Sequence, residues 1–397
     1  MKNLSTAGAS PACAGAGRRR GSILALAFVA LFALLLAPSA RAQAQWDNVE
    51  RIVVIGDLHG DYDKFADMLQ QAQLIDARGN WAGGRTHLVQ LGDVPDRAPD
   101  TRRIMDLLMR LEPQARRAGG YVHALIGNHE AMNVTGDLRY TTPGEFAAFA
   151  DRGSARRRDD YFRRTVAALQ ANPPAAGLPV FDDAYRAQWN ESHPLGWVEH
   201  RTAWAPNGRY GRWVGGHDAV IRINDTLYMH GGLGPSFANA DRQALNDAVR
   251  AALRGQPAPA FADILENQEG PLWYRGLALN AEDTERANVE AVLARNGVAR
   301  IVLGHTKAAP TVLPRFGGRV VLTDIAVPSG YADPHAFLII ENGTLTAVHR
   351  GQRVGLDASS PAATCAYLGR VAAIDGGAGP VATLAAQCTA PAAALAH

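Results

Sequence analysis

Residues 52–60 read Ile-Val-Val-Ile-Gly-Asp-Leu-His-Gly. Four consecutive β-branched residues stop at a glycine, as a short buried strand does, and an aspartate and a histidine follow at once. The arrangement returns twice. His87–Leu91 is a short apolar run before Gly-Asp-Val-Pro-Asp-Arg (Gly92–Arg97), and Tyr121–Ile126 is another before Gly-Asn-His-Glu (Gly127–Glu130). Between the runs, Asp61–Ala72 has helical character, and Ile104, Leu107, Leu108 and Leu111 lie at helical spacing within Thr101–Ala118. Strand, helix, strand, helix, strand predicts an α/β fold with a parallel sheet covered by helices. Such sheets collect ligands at the carboxyl ends of their strands, so Asp57, His59, Asp93, Asn128 and His129 should converge.

Further along, residues 141–212 change character, being rich in Arg, Ala, Asp and aromatics without a strong strand. They are expected to form a helical insertion over the core. Val220–Ile223 and Thr226–Met229 flank Asn224-Asp225, and Ala336–Ile340 and Thr344–Val348 flank Asn342-Gly343, both hairpin signals. Asp241–Arg254 and Thr284–Asn296 are expected to be helical, and Arg300–Leu303 and Arg319–Thr323 to be strands. His230 follows one of these strand signals in YMHGGL, and His305 follows another in VLGHT. The folded domain is thus placed at 48–350. Residues 355–397, rich in Ala, Gly, Thr and Pro, are expected to be a loosely ordered tail apart from anything the cysteines fix.

The first 42 residues are expected to be an export signal. Arg18–Arg20 make a positive region, Ile23–Leu36 an apolar run, and Ala40 and Ala42 a small-residue cleavage site. The apolar run is shorter than the ~20 residues a span needs, so no stable membrane span is expected after cleavage. The mature protein would be periplasmic or secreted. Cys13 leaves with the signal, and Cys365 and Cys388 then permit one disulfide or remain two free thiols. Removing residues 1–42 leaves 35 basic and 38 acidic residues, a net charge of −3. That balance offers no bulk electrostatic reason to bind nucleic acid.

Chemistry concentrates in the residues behind the strands. Carboxylate, amide and imidazole ligands without cysteine suit Mn, Fe or Zn. A carboxylate can bridge two such ions, which together acidify a water and neutralise charge on an attacked phosphate. A single Asp-x-His is weak evidence, and His87, His123, His193, His200, His217, His335 and His349 lack any matching motif. The constellation as a whole is specific in residue type, order and context.

GDLHG, GDVPDR, GNHE, HGG and GHT, in this order, resemble the calcineurin-like metallophosphoesterases, in their phosphoprotein phosphatase branch. MNVTGDLRY (132–140), YMHGGL and GPLWYRG (270–276) are similar to the Shewanella-like phosphatases. The resemblance covers about Ile52–Val348 and implies a four-layer αββα sandwich. It implies that Asp57 and His59 bind a first metal, that Asp93 bridges, and that Asn128, His230 and His305 bind a second. His129 would protonate the leaving oxygen, oriented by Asp96, while attack on phosphorus would be direct and in line, by a metal-bridging hydroxide. Arg97 and Arg275 would grip phosphate oxygens. Tyr331, in VPSGYAD, matches a site-lining tyrosine more loosely, and Ala332 stands where the family has a cysteine.

The function expected is therefore that of a phosphomonoesterase acting on a phosphorylated protein, with a lead toward phosphotyrosine, or on a small phosphate monoester. The alternative within enzymes is a hydrolase of nucleotides or dinucleoside polyphosphates. A silent metal- or phosphate-binding module is disfavoured, because every ligand and the acid are present. Discrimination among substrates would come from aromatics of the insertion, with Trp189, Trp197 and Trp204 as candidates.

Overall fold

The computed structural model describes residues 44–325 and 332–389; the expected export signal and Tyr331 lie outside them. After β1 (Gln45–Trp46), the chain alternates β2 (Arg51–Ile55), α1 (Tyr62–Gln71), β3 (His87–Gln90), α2 (Thr101–Arg117) and β4 (Tyr121–Ala124), and α3 (Asn128–Thr135) begins inside the third motif. Residues 141–212 contain α4 (Pro143–Phe149), α5 (Ser154–Ala171), α6 (Asp183–Ser192) and α7 (Trp197–Trp204), and reach into α8 (Arg209–Val214). The hairpin β5 (Val220–Ile223) and β6 (Thr226–Met229) follows, then α9 (Arg242–Leu253), α10 (Gly276–Leu279) and α11 (Glu282–Asn296). Next come β7 (Arg300–Leu303), β8 (Leu313–Arg315), β9 (Val320–Leu322), β10 (Phe337–Glu341), β11 (Thr344–His349) and β12 (Gln352–Gly355). Two helices end the described chain, α12 (Pro361–Ile374) and α13 (Pro380–Thr389).

The strands form two six-stranded sheets, ordered β12-β11-β10-β2-β3-β4 and β1-β5-β6-β7-β9-β8. In the first sheet β2, β3 and β4 are parallel neighbours, and in the second β6, β7 and β9 are. Side chains alternate across a strand, so each strand feeds two apolar layers. Ile52 and Val54 of β2, Val89 of β3, Ile221 of β5, Tyr228 of β6 and Val302 of β7 share one core with Leu338 and Ile340 of β10, so the sheets meet face to face. Their neighbours Val53, Ile55, Leu88, Leu227 and Ile301 turn the other way. They join Phe65 and Met68 of α1, Leu108 of α2, Val249 of α9 and Val292 of α11. The result is helix, sheet, sheet, helix, the four-layer order that the resemblance implies.

Local chemistry starts and stops these helices. Asp61 accepts a hydrogen bond from the Lys64 N–H at the start of α1, and Phe65, Met68 and Leu69 then bury one stripe. In the insertion, Trp204 is fully buried beside His200 and Tyr210, and Trp189 is buried and stacked on His193 at 4.0 Å. These two tryptophans hold the insertion together.

Residues 355–389 depart from the expectation of a tail loosely ordered apart from what the cysteines fix. Ser360 caps α12 by accepting from the Ala363 N–H, and Pro361 takes the first helical position. The alanines that made the composition look loose are strong helix formers. Tyr367, Leu368 and Val371 enter the core between the sheets, and the Tyr367 hydroxyl donates to the Val312 carbonyl at 2.8 Å. Cys365 and Cys388 form a disulfide that ties α12 to α13. Among the described residues, no helix is long and apolar enough to cross a membrane.

Candidate active site

The three glycine motifs follow β2, β3 and β4 of one sheet, while His230 follows β6 and His305 follows β7 of the other. Two backbone bonds lock these ends together. The His305 N–H donates to Asp57 Oδ1 at 3.0 Å, and the His129 N–H donates to Asp93 Oδ1 at 2.9 Å. Glycine is required where loops close on carboxylates: a Cβ on Gly127 would lie 2.3 Å from Asp93 Oδ1, and one on Gly304 would lie 2.7 Å from Asp57 Oδ1. His59, Asp93, Asp96, Arg97 and His305 all adopt positive φ, between 47° and 75°. Such conformations cost about 1–3 kcal/mol each and gather where a site over-determines them.

Side chains of Asp57, His59, Asp93, Asn128, His129, His230 and His305 come together here. Ligand atoms of His59, Asp93 and His129 lie within 4.8 Å of one another, as do those of Asp93, His230 and His305, so Asp93 belongs to both clusters. His230 Nε2 is 3.2 Å from Asp93 Oδ1 and 3.0 Å from Asn128 Oδ1. His59 Nε2 is 3.8 Å from both Asp57 Oδ2 and Asp93 Oδ2.

The second ring nitrogens decide what these imidazoles can do. His59 Nδ1 meets the Pro95 carbonyl at 3.1 Å, His230 Nδ1 meets that of Leu91 at 2.9 Å, and His305 Nε2 meets that of Trp273 at 3.1 Å. A carbonyl can only accept, so each of these nitrogens carries a hydrogen. The neutral ring then keeps its lone pair on the nitrogen facing the cluster, the form a metal requires. His129 differs. Its Nδ1 lies 2.6 Å from Asp96 Oδ2, and its Nε2 lies 3.5 Å from Arg97 Nη2 and 3.8 Å from Asp93 Oδ2. Asp96 also accepts from Asn133 Nδ2 at 3.0 Å and from the Thr141 hydroxyl at 2.8 Å.

The electrostatics fit cations. Asp57, Asp93, Glu130 and Asp324 are all buried, and Asp324 Oδ2 has no hydrogen-bond partner. Burial lifts the Asp57 carboxyl to about 6, against the pull of His230. Burial also opposes a charged His230, but Asp93 and then Asp57 outweigh it and hold the ring at about 9. Burial drives His59 down to about 3 and keeps His305 below the ordinary imidazole range. For His129, burial is outweighed by the Asp93 charge and the Asp96 bond, so its proton is held more tightly than usual. Asp57 and His230 thus keep protons at a site short of positive charge, whereas His59 and His305 stay neutral and Asp93 ionised, and the oxygen and imidazole donors suit divalent ions.

Arg275 reaches the site through Nη1, which donates to the His305 carbonyl at 2.7 Å and to the Thr306 hydroxyl at 3.2 Å. Tyr331 lies outside the described residues. Several residues that hold the site carry no role in the sequence reading. The Glu130 carboxylate accepts from the N–H groups of Asp93, Val94 and Gly127 at 2.8–2.9 Å, fixing two motif loops against each other. Its place at the end of GNHE was the available signal. Buried Gln90 bonds the carbonyls of Gly56 and Gly92. Asn133 sits one helical turn after His129, a spacing that could have marked it. Thr141 and Asp324 offered no local signal.

A model of the calcineurin-like phosphoesterases matches residues 50–308. Shewanella-like protein phosphatase 2 of Arabidopsis thaliana is 30% identical over 303 residues, 73% of this chain and 75% of that protein. An uncharacterized protein of Schizosaccharomyces pombe is 30% identical over 318 residues, 77% of this chain and 82% of that one. Among solved structures, the cold-active protein-tyrosine phosphatase of a psychrophilic Shewanella species is similar with a TM-score of 0.59 and 28% identity, over 81% of this chain and 85% of that one.

Proposed function

This chain belongs to the calcineurin-like phosphoesterase family and is a metal-dependent phosphoric monoester hydrolase, and we propose that it uses two metal ions and prefers aryl phosphates, phosphotyrosine in proteins included. The observation that carries the two-metal reading is Asp93, shared by two clusters of potential ligands. Asp57, His59 and Asp93 would hold one ion, and Asp93, Asn128, His230 and His305 the other. Ions such as Mn, Fe or Zn bound there would supply Lewis-acid charge and an acidified water.

The chain's own residues would do the rest. Arg97 and Arg275 would bind phosphate oxygens through charge-assisted bonds. His129 would hand the proton on Nε2 to the leaving oxygen, while Asp96 holds the opposite nitrogen and favours the charged ring. His129 also falls within reach of the Asp93 cluster, so a ligand role is the competing assignment. Its carboxylate partner favours the acid, because Asp96 stabilises a protonated ring; the guanidinium beside Nε2 opposes any cation at that nitrogen, proton or metal alike.

The aryl preference is supported by similarity to the Shewanella tyrosine phosphatase and by chemistry, since a phenolate departs more readily than an alkoxide. The test compares kcat/KM for phosphotyrosyl and phosphothreonyl versions of one peptide, beside phenyl phosphate and nucleotides. A clear advantage for the phosphotyrosyl peptide is expected. Equal rates for the two peptides would reject the preference. Phenyl phosphate matching the phosphotyrosyl peptide would reject protein recognition, and a nucleotide outperforming both would point to a small-molecule hydrolase.

A further inference from the structure

Of the insertion's tryptophans that might have read a substrate ring, Trp189 and Trp204 are buried, and Trp197 is half-buried with its ring against Tyr161 and His193. A different aromatic stands at the reaction centre. Tyr140 lies in the loop between α3 and α4, and its ring centroid is 5.0 Å from that of His129, tilted by 41°. The Arg97 guanidinium carbon lies 5.5 Å from the centre of the same ring. Both neighbours belong to the proposed machinery, yet Tyr140 is 43% exposed.

The loop is fixed to that machinery. The Arg97 N–H donates to the Tyr140 carbonyl at 3.1 Å, and the next residue, Thr141, donates its hydroxyl to Asp96 Oδ1 at 2.8 Å. At the loop's start, Gly136 turns the chain with φ +99°, and the Asp137 N–H returns to the Met132 carbonyl at 2.9 Å. The Tyr140 backbone is therefore held in register with the acid–orienter pair.

We propose that Tyr140 contacts the group esterified to the phosphate and selects aryl over alkyl esters, an inference that rests on the phosphomonoesterase reading above. A general acid must come within about 2.6–3.2 Å of the leaving oxygen. Arg97 Nη2 lies 3.5 Å from His129 Nε2, so a phosphate gripped by Arg97 would sit beside that nitrogen. The carbon attached to the leaving oxygen then emerges beside both residues, and the exposed ring touching both is Tyr140. A phenyl group can pack on it edge-to-face or offset, as aromatic pairs prefer. A small alkyl group gains no comparable contact. The competing role for the ring is to shield the His129–Asp96 bond from water, which would affect all esters alike.

Binding of two non-hydrolysable phosphonate analogues of the monoesters to the metal-loaded protein separates these roles. Dissociation constants for phenylphosphonate and methylphosphonate would be measured by calorimetry for the wild type and for Tyr140→Phe, Tyr140→Ala and Tyr140→Gln. The wild type and Tyr140→Phe should favour phenylphosphonate. Tyr140→Ala should bind phenylphosphonate about 2- to 10-fold more weakly, the usual scale of one aromatic contact, with methylphosphonate unchanged. Tyr140→Gln, which keeps bulk without a ring, should behave like Tyr140→Ala. Equal weakening of both ligands in both variants would overturn the proposal in favour of shielding. A ring preference that survives both variants would overturn the role of Tyr140 alone and leave the aryl preference standing. A wild type that does not distinguish the ligands would overturn both.

Discussion

His129 Nδ1 lies 2.6 Å from Asp96 Oδ2, an imidazole–carboxylate contact sealed inside the protein with Asp96 fully buried. The three imidazoles proposed as ligands are backed by neutral backbone carbonyls instead. A carbonyl orients a neutral ring, whereas a carboxylate also stabilises a charged one. The atom behind Nδ1 of His129, a carboxylate rather than a carbonyl, is the feature that supports the proposed acid role.

His129→Asn should retain the metals and lose turnover by about 10²–10⁴-fold, the scale of a lost acid–base group. The loss should be larger for an alkyl phosphate than for p-nitrophenyl phosphate, whose leaving group needs little protonation. Asp96→Asn should show the same ordering in milder form. An equal loss on both substrates, or loss of bound metal from His129→Asn, would remove the general-acid role.

Asp93 is the only residue common to both ligand clusters among the described residues. Asp93→Asn should therefore strip metal from both positions and abolish nearly all activity. Elemental analysis of the metal-replete wild type should give two ions per chain. A value of one or below would reject the dinuclear assignment.

Glu145 is buried in the insertion beside His200, with Oε1 3.9 Å from His200 Nε2. Burial, reinforced by the Asp96 charge, raises its carboxyl from the ordinary 4.5 to about 8. Between those values the folded protein keeps a proton that the unfolded chain has released. This group's contribution therefore falls as pH rises from about 5 to 8, and it does not recover above that range. Burial meanwhile holds His200 at about 3, so that ring supplies no compensating charge in this window. Glu145→Gln should flatten the decline in thermal midpoint across the same pH range. Parallel profiles for the two proteins would count against a proton held on Glu145.

The Cys365–Cys388 disulfide links residues 23 apart in sequence. Closing a loop of that length in the unfolded chain stabilises the fold by about 3 kcal/mol in the chain-entropy account. The double variant Cys365→Ser/Cys388→Ser should lose stability on that order. A reductant should lower the melting temperature of the wild type and leave the variant's unchanged. Identical denaturation curves for the oxidised wild type and the variant would show that the bond contributes nothing.

We propose that residues 1–42 direct export. A reporter fused after Ala42 should leave the cytoplasm, and the mature chain should begin near Gln43. Protein isolated from the native cytosol with Met1 or Lys2 still attached would refute this.

The strands and the side chains that gather at their ends were legible in the sequence because their signals are local. Ile52–Ile55 ends at a glycine and an aspartate whatever the rest of the chain does, and the same holds for the runs before Asp93 and Asn128. The ends of β6 and β7 likewise marked His230 and His305. Local signals also misled: the alanines after Gly355 looked loose, although Ser360-Pro361 is a helix start and Tyr367, Leu368 and Val371 needed a core to enter. Whether that core lay within reach depended on strands far earlier in the chain.

The sequence by itself determined which residue types stand at the strand ends, and so which chemistry is available. Only the tertiary structure decided that two sheets meet face to face and bring His305 to Asp57 across 248 positions of chain. It also decided the second partner of each imidazole. The carbonyls of Pro95, Leu91 and Trp273 are chemically the same as every other carbonyl in the chain, so no residue type announces them. Tyr140 is a similar case, since one tyrosine in a loop has no distinctive spacing, and its contact with His129 exists only once α3 and the Arg97 turn are packed. Side-chain identity is written in the sequence, but the direction in which a backbone carbonyl or a loop ring points is set by packing.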